Sequence, residues 1–317
     1  MVSLFILIVV MISGCTIPGT DVNLPDFGIL GGQEVKEFKN DIIVISDIQA
    51  IPSRDVKSGQ TMKLRVYLKN LEGVDAEAKK NVEVRLYNVC DLFDTTIDYC
   101  PGTVSNDICI INNFYPQSTQ TVSWELRAKH VNVETSCDIG IYVKYDHKSF
   151  TTTQIAYINK DEYERLILQG KKTSEKGKMV VGEGPIKAYL EVKDQPVLVS
   201  NENPGITVLY FWLENKGNGE LDGNKIYPRG TGKNTFSITS DNIIGINNEN
   251  IQTCIEKKLP ENNRFIEFIG KSTPKYMCKI KLSHPQAVVE TEKIFSIDSE
   301  INYAYKFSKK LEITVKP

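Results

Sequence analysis

The chain has 317 residues, of which 41% are apolar and 25% are charged, and its formal net charge is −2. This length exceeds that of a typical single domain and is sufficient for two. Because lysines and acids are interspersed and there is no excess of positive charge, the composition argues against a nucleic-acid partner held through its phosphates.

The first 14 residues have the pattern of a secretory signal peptide. Residues 4–12 (LFILIVVMI) form an apolar run that is much shorter than the roughly 20 residues of a membrane-spanning helix. Residues 12–15 (ISGC) then have the form of a lipobox, in which small residues precede a cysteine. The alternatives are an uncleaved short anchor and a buried strand that carries a cysteine by chance.

Through these residues the N-terminus resembles that of prokaryotic lipoproteins. The resemblance implies that residues 1–14 are removed, that the thiol of Cys15 carries lipid, and that the protein is held on the extracellular face of the cell membrane. Two acyl chains give stable anchoring, whereas a single chain binds only marginally. Residues 15–39 contain Pro, Gly, Asp and Asn with little periodicity, and they predict a flexible, lipid-anchored tether.

Residues 40–158 alternate apolar and polar side chains. The clearest segments are MKLRVYLKN, VEVRLY, TVSWELR and IGIYVKY. Strict alternation places every second side chain on one face of a strand, so these segments predict an antiparallel β-sandwich with one buried face in each sheet.

Residues 159–184 break this alternation. The segment NKDEYERLILQGKK predicts a short helix with Asn159 as its N-cap, and TSEKGKMVVGEGP predicts a loop that completes the connector. Strand patterns resume over residues 185–317, where ITVLYFWLEN is apolar on both faces and is expected to be a central strand or an interdomain contact. The predicted fold class is mainly β, with two antiparallel sandwiches joined by a short helix and a loop.

Both predicted sandwiches contain an alternating strand that ends in Asn and is followed by a Gly-bearing loop: VYLKNLEG in the first and FWLENKGNG in the second. These segments resemble the CARDB-type and related immunoglobulin-like modules of archaeal and bacterial surface proteins. In such modules a V-x-V-x-L-Y strand often follows, and VEVRLY (82–87) matches it in the first region. The resemblance implies a prokaryotic, specifically archaeal, surface lipoprotein with tandem immunoglobulin-like domains, and it says little about the ligand.

Six cysteines remain besides the one in the lipobox. An even number in each predicted domain, outside the cytoplasm, predicts disulfides. Cys254 and Cys278 are the only two in the second domain and are therefore expected to pair with each other.

The four cysteines of the first domain allow three connectivities. In an immunoglobulin-like sheet, the strand that ends at Cys90 and the strand that begins at Cys137 run antiparallel as neighbours, which favours a Cys90–Cys137 bond. Cys100 and Cys109 would then close the loop CPGTVSNDIC. The alternative is a metal site built from all four thiolates, although the spacing lacks the C-x₂-C pair that zinc sites commonly use.

No familiar catalytic pattern is present: the sequence has neither a G-x-S-x-G nor an H-E-x-x-H segment. His130, His147 and His284 lie in polar segments that predict solvated loops. The segments RGTGKNT and NGELDG depart from phosphate-loop and calcium-loop patterns and predict turns. We therefore predict no catalytic residue, no metal site and no cofactor.

These features predict a non-enzymatic, lipid-anchored cell-surface protein whose tandem domains mediate extracellular binding, adhesion or envelope assembly. Its partners would be the membrane lipid and an unidentified surface protein or envelope polymer, and the binding residues are not specified by the sequence. The alternative is an accessory subunit docked on a membrane complex such as a transporter, a secretion system or a pilus. In that case ITVLYFWLEN and the aromatic row Tyr303, Tyr305 and Phe307 could provide the interface, although ordinary core packing also explains them.

Overall fold

Two unusually long strands organise the fold, which was obtained as a computed structural model. The structure describes residues 34–37 (backbone only), 40–171, 177–230, 232–260, 264–284 and 292–317. These residues belong to the compact unit Gln33–Pro317. Among them, no helix is long and apolar enough to cross a membrane.

The described elements are mainly strands. In chain order they are β1 (Glu34–Glu37), β2 (Ile43–Ile51), β3 (Asp55–Lys57), β4 (Thr61–Asn70), β5 (Val82–Tyr87), β6 (Phe93–Tyr99), β7 (Thr103–Ser105), β8 (Ile108–Ile111), β9 (Thr119–Ala128), β10 (Thr135–Asn159), α1 (Lys160–Leu168), β11 (Lys178–Val181), β12 (Ile186–Val192), β13 (Val197–Val199), β14 (Thr207–Asn215), β15 (Glu220–Leu221), β16 (Lys225–Pro228), β17 (Thr235–Thr239), β18 (Ile243–Gly245), α2 (Ile251–Glu256), β19 (Ile266–Glu267), β20 (Tyr276–Leu282) and β21 (Glu292–Lys316). The predicted fold class, mainly β, is thus confirmed.

Strands β10 and β21 form an antiparallel ribbon along almost their whole length. The register runs from Thr135 opposite Val315 to Ile158 opposite Glu292. At about 3.3 Å per residue, each strand spans roughly 80 Å. The last strand, β21, therefore pairs with β10 along both predicted sandwiches. The predicted connector at 159–184 does not divide the chain into two separate sheets.

The first region comprises strands β2 to β9 and the halves of β10 and β21 that lie beside them. Its sheet β2–β4–β9–β6 packs against this half of the ribbon and against β5, which pairs with β10. Alternate residues of β4, such as Leu64 and Val66, are fully buried, as are Val84 and Ile141 on the opposing sheet. The period-2 pattern of these strands produces this arrangement, because each strand places its apolar side chains on the face that looks into the core.

The second region packs the sheet β12–β14–β20–β18 against the other half of the ribbon. Thr151 and Thr153 of β10 donate hydrogen bonds from Oγ1 to the carbonyl oxygens of Ala188 and Leu190, both at 2.9 Å. The buried side chains of the two regions form one continuous apolar cluster. The ribbon thus carries a core on the same face at both of its ends.

Strand β14 occupies the position expected for a segment that is apolar on both faces. It lies between β12 and β20. On one face, Phe211 stacks on Phe236 at 5.5 Å within the main core. On the other, Trp212 stacks on Tyr189 at 5.0 Å and belongs to a smaller cluster that includes Met179 of β11.

Two predicted irregular segments contain short strands. β1 lies within the predicted tether (15–39) and pairs in parallel with β11, which lies within the predicted connector. β11 pairs in turn with β10. The predicted helix is present as α1, and the side chain of Asn159 caps it by accepting a hydrogen bond from the amide of Asp161 at 2.8 Å.

Candidate functional site

The predicted lipidation site lies outside the described residues. Cys15, the signal segment 1–14 and most of the tether precede β1, so the anchor remains a prediction from the sequence. The sites that can be described are the disulfides, one exposed hairpin and a buried polar cluster at the middle of the ribbon.

Two disulfides lie in the first region. Cys90, which follows β5, is bonded to Cys137 of β10, and their Cα atoms are 5.9 Å apart. Cys100, which follows β6, is bonded to Cys109 of β8, with a Cα separation of 5.6 Å. Because β6 pairs with β9 and β8 pairs with β5, this second bond joins the two facing sheets. The Cys100–Cys109 bond therefore crosslinks two sheets in addition to closing the predicted loop.

The third disulfide lies in the second region. Cys254 of α2 is bonded to Cys278 of β20, with a Cα separation of 6.1 Å. Asn250 caps the helix by accepting a hydrogen bond from the amide of Thr253 at 2.7 Å. The bond thus fastens a short helix of six residues to a core strand.

The hairpin formed by β7 and β8, together with the end of β6 that precedes it, exposes large apolar side chains on the surface of the first region. Its two turn residues, Asn106 and Asp107, have φ values of 48° and 61°, which suits a tight two-residue turn. Tyr99 and Val104 are each more than half exposed. The Cys100–Cys109 bond restrains this segment, and restraint lowers the entropy that an exposed loop loses on binding.

A buried polar cluster lies where the two cores meet on the ribbon. The ammonium of Lys79 is 2.7 Å from a carboxylate oxygen of Glu72 and 2.9 Å from Nδ1 of His147. Nε2 of His147 is 3.2 Å from the carbonyl oxygen of Glu183. The side chains of Glu72 and His147 are almost fully buried, so this cluster ties the β4–β5 loop and the segment before β12 to β10.

Burial and the neighbouring ammonium of Lys79 lower the pKa of His147 from 6.5 to about 3. The imidazole is therefore neutral at neutral pH. The hydrogen bonds are consistent with one tautomer, in which Nδ1 accepts from Lys79 and Nε2–H donates to Glu183. Such a weak base is poorly suited to proton abstraction, and the arrangement is a structural connection between segments.

His147 is the residue that sequence reasoning placed wrongly. It was expected in a solvated loop, but it is a buried residue of β10 with 7% of its surface exposed. The inward series Ile141, Val143 and Tyr145 reaches His147 when it is extended by two residues, and this periodicity was the available signal. His130 and His284 are exposed, as expected.

Two buried tyrosines of β21 extend the cluster. Tyr303 OH lies 2.9 Å from Oγ of Ser149 and accepts a hydrogen bond from the amide of Ile186 at 3.2 Å. Tyr305 OH donates to Oδ1 of Asn215 at 3.0 Å. Desolvation raises the pKa of both phenols, so both remain neutral donors or acceptors in the physiological range.

The asparagines that end the two similar strands make equivalent contacts. Oδ1 of Asn70 accepts from the amide of Glu72 at 3.0 Å, and Nδ2 donates to the carbonyl oxygen of Phe114. Oδ1 of Asn215 accepts from the amide of Gly217 at 3.1 Å, and Nδ2 donates to a carbonyl oxygen four residues on. Each asparagine therefore closes a turn inside the fold, which is a structural role.

A cleft of about 350 Å³ opens beside the cluster, and most of its lining residues carry a charged or polar group. Its lining residues are Lys79, Asp146, His147, Lys148, Lys233, Asn302, Tyr303 and Ala304. Lys79 is paired with Glu72, and Lys148 lies 2.9 Å from Glu300. Because these lysines are paired with carboxylates, the cleft has no strong excess of positive or negative charge with which to select a charged ligand.

The segments that the sequence offered for docking contribute mainly to the interior. Tyr303 and Tyr305 are 3% and 1% exposed, and Phe307 packs against the core. Strand β14 is covered on both faces, as described above. In the described part of the chain, no group of three or more Asp, Glu, His or Cys side chains could hold a metal ion.

Comparisons with known proteins give no family. No family model matches the chain, and no curated protein matches it. Solved structures that align with it include the D0-D1 domain of intimin, with 12% identity over 86% of this chain and 99% of that chain at a TM-score of 0.18. They also include a Salmonella alpha-2-macroglobulin (11% identity, 86% of this chain and 16% of that chain, TM-score 0.20) and the C-terminal domain of the Streptococcus agalactiae AgI/II polypeptide BspA (10%, 87% and 99%, TM-score 0.16). Such low TM-scores carry no argument about this chain.

Proposed function

We propose that this chain is a non-enzymatic, lipid-anchored protein of the extracellular membrane face, and that its two sandwich regions are immunoglobulin-like modules that bind or assemble with another surface component. The observation that carries the proposal is that the cysteines are paired in disulfides. Three disulfides account for all six cysteines that follow Cys15. Disulfides persist in oxidising compartments, and a lipobox directs its cysteine to such a compartment.

The exposed β7–β8 hairpin supports the choice of a binding role. Val104 of the hairpin and Tyr99, which ends β6 just before Cys100, are each more than half exposed. Tyrosine contributes strongly to protein interfaces because it is large and has few rotatable bonds. The hairpin is held by a disulfide at its base, so little freedom remains to be lost when a partner binds.

Crosslinking on intact producing cells tests this proposal. The captured partners are identified by mass spectrometry, first for the unsubstituted protein and then for a Tyr99→Ser, Val104→Ser variant. We expect envelope polymer, copies of this chain or one surface protein to be captured, and the variant to lose most of that capture.

A Val133→Ser variant is the control, because Val133 is also more than half exposed but lies before β10 and outside the hairpin. Its capture should equal that of the unsubstituted protein. Repeated capture of one transporter, secretion or pilus complex would instead establish the alternative role as a docked subunit. Equal capture by all three forms would remove the hairpin from the proposal.

A further inference from the structure

The end of the molecule that carries α1 exposes several large aliphatic side chains. Leu168 is 88% exposed and Ile167 is 54% exposed, and α1 has no buried residue. Ile294, opposite Ala156 at the start of β21, is 47% exposed, and Ile206, just before β14, is 46% exposed. Single exposed aliphatics are ordinary, but a helix that buries none of its aliphatic residues and leaves two adjacent ones mostly exposed needs another explanation.

The connection to the predicted anchor enters the fold at this same end. β1 is parallel to β11, with Glu34 opposite Lys178, and β11 is antiparallel to β10, with Met179 opposite Thr153. The first residue of β1 is therefore level with about residue 154 of β10, and the strand begins on the side nearer to Asn159. That level is about five residues, or roughly 17 Å, from the start of α1 and about 65 Å from the opposite end.

The distance from anchor to body is limited by the chain. Cys15 and Glu34 are 19 residues apart, so even a fully extended chain between them spans only roughly 63–68 Å. Only a tether stretched almost to this limit would bring the opposite end of the ribbon, about 65 Å away, to the anchor, whereas the α1 end needs a span of only about 17 Å. A membrane that holds Cys15 therefore meets the α1 end of the body more readily than the other end.

The charges of α1 permit close approach to a lipid surface. Glu162 is paired with Arg165 at 2.6 Å, and Glu164 lies 3.8 Å from Lys160. These pairs neutralise two of the three acidic residues of the helix, so its repulsion from anionic headgroups is small. Short amphipathic helices bind such surfaces by burying aliphatic side chains about 5–10 Å deep, at the boundary of headgroups and acyl chains.

From these observations we infer that α1 lies on the membrane that holds the anchor, with Ile167 and Leu168 inserted among the lipid headgroups. The inference rests on the proposed lipid anchor and adds a second contact, which fixes the α1 end of the ribbon toward the membrane and the β7–β8 region away from it. The long ribbon would then present its first region at a distance from the bilayer.

Fluorescence quenching in vesicles tests this contact. The full chain, purified with its lipid, is reconstituted in vesicles of phosphatidylglycerol and a phosphatidylcholine that is brominated near the headgroup end of its acyl chains. A tryptophan is introduced as Leu168→Trp, and Val133→Trp at the opposite end is the matched control. Both positions are exposed, and the native Trp124 and Trp212 are buried and serve as the common background.

We expect brominated lipid to remove most of the emission added by Leu168→Trp and none of that added by Val133→Trp. Mass spectrometry of the N-terminal peptide in the same preparation shows whether Cys15 is acylated. If Cys15 is acylated but the emission of Leu168→Trp is not quenched, or is quenched no more than that of Val133→Trp, the contact between α1 and the membrane is overturned. The proposed lipid anchor would still stand. An unmodified Cys15 would overturn both the anchor and the contact.

Discussion

His147 shows how one buried imidazole joins separate segments of this chain. It is held between Lys79 and the carbonyl oxygen of Glu183, so it connects the β4–β5 loop, β10 and the segment before β12. Burial and the adjacent ammonium favour the neutral ring. Protonation would place a second positive charge beside Lys79 in a site with little water.

This arrangement predicts acid sensitivity. The pKa of His147 is about 3 in the folded protein against an ordinary value of 6.5, so its contribution to stability is complete above pH 6.5 and is lost as the pH falls toward 3. Between pH 6 and 5 the free energy of unfolding should fall by about 1 kcal/mol per pH unit more in the wild type than in His147→Gln. Urea titrations at several pH values measure this, and equal slopes in the two proteins would contradict it.

The turn asparagines give a second prediction at the residue scale. In Asn70→Ala the amide of Glu72 loses its partner inside the fold, while the carbonyl oxygen of Phe114 keeps its hydrogen bond from the amide of Lys79. Leaving one buried group unpaired costs about 1–3 kcal/mol, so we expect the free energy of unfolding to fall by about 1–3 kcal/mol. Asn112→Ala, at an exposed position, is the matched control and should change it by less than about 0.5 kcal/mol. A change of less than about 0.5 kcal/mol in Asn70→Ala would contradict this prediction and would mean that water replaces the Asn70 side chain as the hydrogen-bond partner of Glu72.

At the scale of elements, the three disulfides should differ in their effect on stability. On the chain-entropy model the stabilisation grows with loop length, and the sequence separations are 47 for Cys90–Cys137, 24 for Cys254–Cys278 and 9 for Cys100–Cys109. Replacing each pair by serine should lower the free energy of unfolding by about 4, 3.5 and 2.5 kcal/mol, in that order.

Urea unfolding of the three double variants measures the order. Peptide mapping without reduction checks the pairing independently, because each predicted bond gives one linked peptide pair. A mapped Cys90–Cys100 or Cys109–Cys137 link would contradict the described connectivity, and a reversed order of stabilities would show that native-state strain outweighs loop entropy.

At the scale of the whole molecule, the ribbon should make the two regions unfold together. The final strand contributes Ile313 and Val315 to the first region, and the same strand contributes Ile297 and Ile301 to the second. If either region opened, its half of the ribbon would lose the sheet that covers it, and an uncovered pair of strands is only marginally stable in water. We therefore expect one cooperative transition rather than two.

Two single-tryptophan variants test this cooperativity. Trp212→Phe leaves Trp124 as a probe of the first region, and Trp124→Phe leaves Trp212 as a probe of the second. In each variant, the fluorescence transition should coincide with the far-ultraviolet circular dichroism transition of the whole chain. Midpoints that differ between the two methods within one variant would show that the regions are independent domains.

The sequence predicted individual strands far better than their partners. Alternation identified β4, β5, β9 and the first half of β10, and the double-faced apolar segment identified β14 as central. The second half of β10 escaped notice because its inward side chains change from aliphatic to His147, Ser149, Thr151 and Thr153, which a hydrophobic pattern cannot distinguish from a loop. Pairing of β10 with β21 depends on contacts between segments more than 130 residues apart, and no local pattern records such contacts.

The central claim is that this chain is a lipid-anchored protein of the extracellular face, and the mass of its N-terminal peptide tests it most directly. The protein should be taken from the membranes of cells that produce it, cleaved, and analysed for the peptide that begins at Cys15. The account predicts that Cys15 is the first residue and carries a diacylglyceryl group. An unmodified peptide that runs through Gly14 and Cys15 would contradict the account.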